Sequence, residues 1–445
     1  MFSKILIANR GEIAVRIIRA CKELNIATVA IFSEADREAL HVQMADQAVC
    51  VGESPSKSSY LNMHNILSAV LLTKADAVHP GFGFLSENAT FVAMCEECNI
   101  KFIGPSADAI NAMGNKSNAR ELMKRAGVPI IPGSNGTVDC IEDATEFAKK
   151  YGYPVLLKAS AGGGGKGIRL CNDDDELKNN YEAAKSESRL AFSDDSLYVE
   201  KAIINAKHIE VQVIGDEYDN IIHLGERECS MQIHNQKVIE EAPSSVINPK
   251  LRAKLGDIAI LAARACNYKN AGTVEFLMDE NENFYFMEMN TRIQVEHPIT
   301  EMITGVDIVK EQISIAYGNK LSIKQEDVLL NGHSIECRIN ASSTGFIDYM
   351  FLPAGGLGIR VDSGIYAGYT VPPFYDSMLA KVISHGKNRN EAIAKMYRAL
   401  SELVINGIET NIDFQMQVLE SECFLNAKYN TTTLTRLIES QEVKL

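Results

Sequence analysis

The chain has 445 residues, of which 46% are hydrophobic and 23% charged, and it carries a formal net charge of −14 with no Trp. That length is enough for about two or three domains with sizeable cores, and the acid excess argues against nucleic acid as a partner. No run approaches the ~18 consecutive apolar residues that a membrane span needs.

The ten cysteines are scattered without a disulfide framework, which points to a reducing compartment and a cytoplasmic protein. Cys95-Glu-Glu-Cys98 has no second pair and no nearby His, so it reads as a helix end rather than a zinc or redox site. The apolar start Ile5-Leu-Ile-Ala8 is too short for a signal peptide.

Residues 4–8 read as a buried strand, followed by Asn9-Arg-Gly-Glu12 and a helix to about Leu24 in which Ile13, Ile17 and Cys21 recur at helical spacing. Strands are expected at Ala27–Phe32, Ala48–Val51, Ala75–His79 and Lys101–Ile103, with helices at Tyr60–Leu72 and Glu87–Cys98 between them. Such alternation predicts a doubly wound parallel sheet. His79-Pro-Gly-Phe-Gly-Phe-Leu-Ser-Glu-Asn88 follows a strand's carboxyl end, where ligands of α/β sheets usually bind, though a Gly-rich turn is an equal reading. Residues 106–126 read as one helix carrying Lys116, and Gly127-Val-Pro129 with Ile131-Pro-Gly133 marks a boundary.

A small unit follows at roughly 130–202, with a helix at Glu142–Lys150, strands at Pro154–Lys158, Ile168–Cys171 and Leu197–Lys201, and a helix from about Asp174. Between its first two strands lies Ala159-Ser-Ala-Gly-Gly-Gly-Gly-Lys-Gly167. Four consecutive glycines cost chain entropy, usually offset where backbone N–H groups approach phosphate oxygens closely. Lys158 and Lys166 add positive charge, which favours a phosphate-covering lid over a mobile linker. The loop is not a Walker A motif, because Gly167 follows Lys166. Glu200-Lys-Ala-Ile203 reads either as a hinge strand pairing with a purine edge or as an ordinary strand end.

His208–Ile214 alternates as a half-buried strand with His208, Glu210 and Gln212 on one face, and Ile221–Leu224 is the next strand. Cys229–Lys237 reads as a polar loop, and Leu251–Ala265 as a helix. The apolar runs 272–278 and 284–289 flank Asp279–Asn283 and predict a β-hairpin that sets Glu275 opposite Glu288, with Asn290 on the face of Glu288. Two facing carboxylates and an amide oxygen are hard ligands suited to Mg²⁺, and solvated surface acids are the alternative. Arg292, Gln294 and Glu296 continue that face, either toward an anionic substrate or as an Arg292–Glu296 pair bracing a loop. Ile308–Tyr317, Glu391–Leu403 and Asn411–Leu419 read as helices, and Gly332–Asn340 as a strand whose Arg338 needs a partner or an anion. A frayed polar C-terminus is expected.

Taken in this order, the motifs resemble biotin carboxylase, the ATP-grasp component of acetyl-CoA carboxylase, almost from end to end. The match is carried by Ile5-Leu-Ile-Ala-Asn-Arg-Gly-Glu-Ile-Ala14, His79–Asn88, Lys158 with the Gly162–Gly167 loop, and Glu288-Met-Asn-Thr-Arg-Ile-Gln-Val-Glu-His-Pro298. The resemblance implies an α/β and α+β ATP-grasp fold. Its parts would be a pre-ATP-grasp domain at 1–114, a first ATP-grasp subdomain at 115–202 with the lid at 130–202, a second at 203–330, and a mixed C-terminal domain at 331–445.

The resemblance also implies carboxylation of biotin on a carrier protein, with ATP, bicarbonate and Mg²⁺ or Mn²⁺. Carried over, Lys116, Lys158, Gly164 and Gly165 would hold phosphates. Glu200, Lys201, Ala202, Ile203, His208, Asn235 and Leu277 would surround the nucleoside, and Glu275, Glu288 and Asn290 would bind the metal. Lys237, Arg292, Gln294 and Val295 would hold bicarbonate, Glu296 would deprotonate it, and Arg338 would balance the biotin enolate. The chain departs from the usual family pattern at Phe82, Ile233-His234, Asn235 and the shortened stretch Ser342–Phe346. It contains no Ala-Met-Lys-Met biotinyl site, so the biotin carboxyl carrier protein is expected as a separate chain, and the carboxyltransferase is likewise expected as a separate chain. A homodimer is implied, with Arg19 and Glu23 matching dimer contacts. Competing readings are the same subunit of a pyruvate or other acyl-CoA carboxylase, another acyl-phosphate-forming ATP-grasp ligase, and a non-enzymatic scaffold.

Overall fold

The structure is a computed structural model that describes residues 1–134, 136–159, 168–192, 195–353 and 355–444. The N-terminal strands form a five-stranded parallel sheet in the order Gln47–Gly52, Ala27–Ser33, Lys4–Ile7, Ala77–His79, Lys101–Phe102. Helices Gly11–Glu23, Met63–Thr73 and Ala89–Glu97 alternate with them, as the sequence predicted. Both faces are covered, so Leu6, Ile7, Val29, Ile31 and Val78 are wholly buried. Asn62 and Asn88 start their helices by accepting the backbone N–H of Asn65 and Phe91.

The single helix expected over 106–126 is two, Ala107–Gly114 and Lys116–Ala126. Asn115 breaks it by taking an extended conformation in which its side chain accepts Asn118 N–H. Lys116 thereby becomes the first residue of a new helix.

The small unit is a three-stranded antiparallel sheet, Ile168–Cys171, Val155–Ala159 and Leu197–Lys201, with helices Ile141–Tyr151 and Asp174–Phe192. It has its own core around Val155, Leu157, Cys171, Leu177, Leu197 and Val199. The glycine loop Gly162–Gly167, with Gly164, Gly165 and Lys166, lies outside the described residues.

The remaining large sheet has eight strands, in the order Phe284–Asn290, Asn270–Met278, Lys207–Gly215, Ile221–Ile233, Gln236–Ala242, His333–Asn340, Met378–Gly386, Ile359–Ser363. It runs without a break across residue 330, because Gln236–Ala242 pairs with His333–Asn340. Cys229–Lys237 is not a loop. The strand from Ile221 continues to Ile233, reverses at His234 and Asn235, both at positive φ (49° and 65°), and returns from Gln236. Paired polar side chains fill this buried strand, so its hydropathy hides it. Helix His297–Thr304, which opens with Pro298, was also not foreseen. The C-terminal end does not fray over the described residues: Leu434, Leu437 and Val443 are buried, and Lys444 N–H donates to Gln417 Oε1 at 2.9 Å.

Candidate active site

The acidic hairpin forms with Glu275 opposite Glu288. The turn is one residue longer than a loop starting at Glu280 would give, since Met278 pairs with Phe284 and Asp279 N–H donates to Asn283 O. A bulge between Glu275 and Phe276 on the register restores the facing pair. Burial, reinforced by the neighbouring Glu275 charge, raises the Glu288 carboxyl above its ordinary value. Its salt-bridge partner is Lys116, at 3.7 Å. Two facing carboxylates and an amide oxygen therefore fit a divalent cation, whose charge would relieve that repulsion. Asn290 Oδ1 accepts from Arg292 at 2.8 Å, and its Nδ2 donates to Glu275 Oε1 at 2.7 Å.

Glu275 also accepts from His208 Nε2 at 2.8 Å, Lys237 Nζ at 3.0 Å and Gln294 Nε2 at 2.7 Å. Burial alone would raise its carboxyl, but Lys237 and His208 outweigh burial and hold it well below the ordinary range. Lys237 is the hub. Its ammonium lies 2.5 Å from Glu210 Oε2, 3.0 Å from Glu275 Oε1 and 2.6 Å from Glu296 Oε1. Those carboxylates, Glu210 foremost, overcome the desolvation that would otherwise lower its pKa, and raise it well above normal.

Beneath this hub sits Arg227, which the sequence reading missed. It is wholly buried and donates to Glu210, Gln212, Thr300, Thr273 and Gln294 at 2.5–3.1 Å. Glu296 takes Lys237 on Oε1 and Arg338 Nη2 on Oε2, the latter at 3.0 Å. Burial would raise Glu296, but Lys237, Arg338 and Arg227 together hold it far below the usual carboxylate range. Arg338 is fixed from behind by Glu240 Oε1, 2.6 Å from its Nε. Burial pushes Glu240 up to about 7, against the pull of Arg338. Arg292 does not pair with Glu296. It pairs with Glu87 Oε2 at 2.9 Å, a contact that ties the segment after the hairpin to the N-terminal domain.

These groups line one cavity of about 1870 Å³. Lys116, Lys158, Ile203, His208, Asn235, Lys237, Glu275, Leu277, Glu288, Asn290, Arg292, Gln294, Val295, Glu296 and Arg338 all reach it, as does Phe82. Three of the expected nucleoside residues do not line it. The Glu200 carboxylate is taken by Arg120 and Lys158, Lys201 Nζ donates to the carbonyls of Gly152 and Tyr153, and Ala202 is buried with its N–H on Pro154 O. Gly164 and Gly165 lie outside the described residues. Glu210, Arg227, Glu240 and Glu87 are the groups sequence reasoning left without a role. A face shared by His208, Glu210 and Gln212 was the one signal that could have found the first two.

Family models match along the chain: "Biotin carboxylase, N-terminal domain" over residues 1–110, "Carbamoyl-phosphate synthase L chain, ATP binding domain" over 115–324, and "Biotin carboxylase C-terminal domain" over 336–436. Biotin carboxylase 1 of Bacillus subtilis is 57% identical over 443 residues, covering 98% of each chain. The 2-oxoglutarate carboxylase small subunit of Hydrogenobacter thermophilus is 51% identical, covering 98% of this chain and 93% of its own. The crystal structure of the biotin carboxylase domain dimer of that organism's 2-oxoglutarate carboxylase, in complex with MgADP, ADP and bicarbonate, superposes with a TM-score of 0.91 at 50% identity over 98% of both chains. With the three matched segments in order and the relatives aligned nearly end to end, the chain belongs to the biotin carboxylase family.

Proposed function

We propose that this chain uses ATP and bicarbonate to carboxylate biotin on a separate biotin carboxyl carrier protein, by way of carboxyphosphate. The observation that carries this reading is Glu296, a buried carboxylate at the cavity wall with Lys237 on one oxygen and Arg338 on the other. Bicarbonate is a poor nucleophile until its remaining proton leaves, and a carboxylate in contact with it can take that proton. In the resting arrangement Glu296 is ionised but weakly basic, because Lys237 stabilises its charge. When Lys237 turns its ammonium to the substrate anion, Glu296 loses part of that stabilisation and becomes the stronger base. Lys237 and Arg292 would then offset the repulsion between the carbonate dianion formed from bicarbonate and the γ-phosphate. Carboxyphosphate then breaks into CO₂ and phosphate, the phosphate takes the ureido proton of biotin while Arg338 balances the enolate charge, and the ureido nitrogen bonds to CO₂.

Glu275, Glu288 and Asn290 would hold Mg²⁺ or Mn²⁺, which supplies charge neutralisation at the phosphates. Lys116 and Lys158 would pair with phosphate oxygens, together with the Gly164 and Gly165 backbone. His208, Leu277, Asn235 and Ile203 would bound the nucleoside, with Glu200, Lys201 and Ala202 leading the chain into Ile203. In this reading residues 1–114, 115–202, 203–330 and 331–445 form the four functional parts, with 130–202 as the lid. Carboxyltransferase subunits and a homodimer complete the assembly, in the cytoplasm.

The reaction is assigned to the first half of acetyl-CoA carboxylase. Similarity to a 2-oxoglutarate carboxylase subunit favours, as a second reading, the same half-reaction serving an acceptor other than acetyl-CoA. The test is ADP release from purified protein. It should require bicarbonate and rise with free biotin, and an ATP-grasp ligase of another kind would ignore biotin. Pull-down of the partner subunits then separates the two acceptors.

A further inference from the structure

Residues 291–296 bring Arg292, Gln294 and Glu296 to the cavity, yet they lie in neither helix nor strand. A segment without a ladder of its own must be oriented from outside. Two wholly buried side chains do this. His297 accepts no solvent contact, and its Nδ1 lies 2.8 Å from Gln294 O, which its backbone N–H also reaches at 3.3 Å. Because a carbonyl only accepts, Nδ1 carries the proton. Lys381, from the strand Met378–Gly386, donates to Val295 O at 2.7 Å and lies 3.1 Å from Glu12 Oε1 in the first helix.

A trans peptide is planar, so fixing a carbonyl fixes the following N–H in the opposite direction. His297 on Gln294 O therefore aims Val295 N–H away from itself, and among the described residues that N–H has no partner. Val295 lines the cavity. Lys381 on Val295 O sets the next peptide plane, from which the Glu296 side chain departs toward Lys237 and Arg338. We infer that His297 and Lys381 are positioning residues that lock two successive peptide planes, so that Val295 N–H and the Glu296 carboxylate converge on one bound oxyanion.

Packing alone does not call for this pair. Burying an ammonium is costly, and Met would fill the same space without that cost. Glu12, with the further carboxylates Glu336 and Asp362, offsets the charge while leaving the Val295 bond in place. Lys381 thereby joins the first helix, the catalytic segment and the C-terminal sheet at a single nitrogen. The inference rests on the proposed bicarbonate chemistry at Glu296.

The experiment measures KM for bicarbonate and for ATP in the full chain, together with urea unfolding. The variants are Glu12→Gln/Lys381→Met, which removes the buried charges as a pair, His297→Leu, which removes the donor, and His297→Asn, whose amide nitrogen stands where Nδ1 stands. A misplacement of this kind should raise KM for bicarbonate roughly 10- to 100-fold in the first two, with KM for ATP within about twofold, and His297→Asn should restore most of the loss. Unfolding midpoints that fall while KM for bicarbonate stays put would overturn the inference, as would His297→Asn behaving like His297→Leu. Wild-type protein without bicarbonate-dependent ADP release would instead sink the enzymatic reading itself.

Discussion

The parallel N-terminal sheet and the eight-stranded sheet both bury their central strands, but the first fills them with apolar side chains and the second alternates apolar residues with charged ones. In the first, Leu6, Ile7, Val29 and Ile31 are wholly buried, each worth about 1.5–3 kcal/mol of transfer free energy. In the second, Glu210, Arg227, Glu240, Glu336 and Lys381 are equally inaccessible. Their mutual attraction is largely cancelled by what desolvation costs, so such a network is poor evidence for stability. Depth of burial therefore does not measure contribution to folding. The first sheet is buried through apolar side chains, and the second adds to its own apolar core a layer of charges held in place for a reaction.

The charged network of the second sheet extends to Glu296, just beyond its hairpin. Glu296→Ala should lower bicarbonate-dependent turnover by about 10²–10⁴-fold while nucleotide binding persists, as the loss of a general base does. Equilibrium nucleotide binding and steady-state ADP release check this, and turnover that survives would break the contrast. Arg227→Met should destabilise the fold by roughly 3–5 kcal/mol in urea, because Glu210, Gln212 and Gln294 lose their donor. Adding Glu210→Gln should recover part of that loss, which a purely hydrophobic core would not do.

In the N-terminal domain the acid limb should report buried neutral imidazole. Burial pushes His41 down to about 4, with Arg10 adding to it and Asp36 opposing. Between pH ~6.5 and about 4 the unfolded chain binds a proton that the folded chain refuses, so stability should fall as pH falls through that window, by on the order of 3 kcal/mol. Urea midpoints from pH 7 to 4.5 should slope accordingly and slope less in His41→Gln, which keeps a donor for Ile31 O, while His79, pushed down to about 3 by burial, keeps a slope of the same sign. The smallest effect belongs to the apolar core. Ile7→Val should cost about 0.5–1.5 kcal/mol and leave both KM values unchanged.

Much of the first sheet was readable because its strands are short apolar runs separated by amphipathic helices. The facing pair Glu275 and Glu288 was readable from strand alternation, although a bulge compensated for a turn placed one residue late. Residues 225–237 were not readable. A strand carrying Glu226, Arg227, Glu228 and Ser230 looks like a loop until its partners are known, because its polar groups are satisfied by neighbours distant in sequence. The turn at His234-Asn235 lacks glycine, so nothing local announced it. Lys381 was invisible for a similar reason: its partners, Glu12 and Val295, are hundreds of residues and tens of residues away.

The unbroken passage of the large sheet across residue 330 has a further consequence. Glu275 and Arg338 stand on strands joined by one continuous series of inter-strand bonds, through Lys207–Gly215, Ile221–Ile233 and Gln236–Ala242. The sheet is thus a built-in gauge: the spacing between the cation end and the guanidinium end of the cavity is set when the strands zip together, and no ligand has to assemble it.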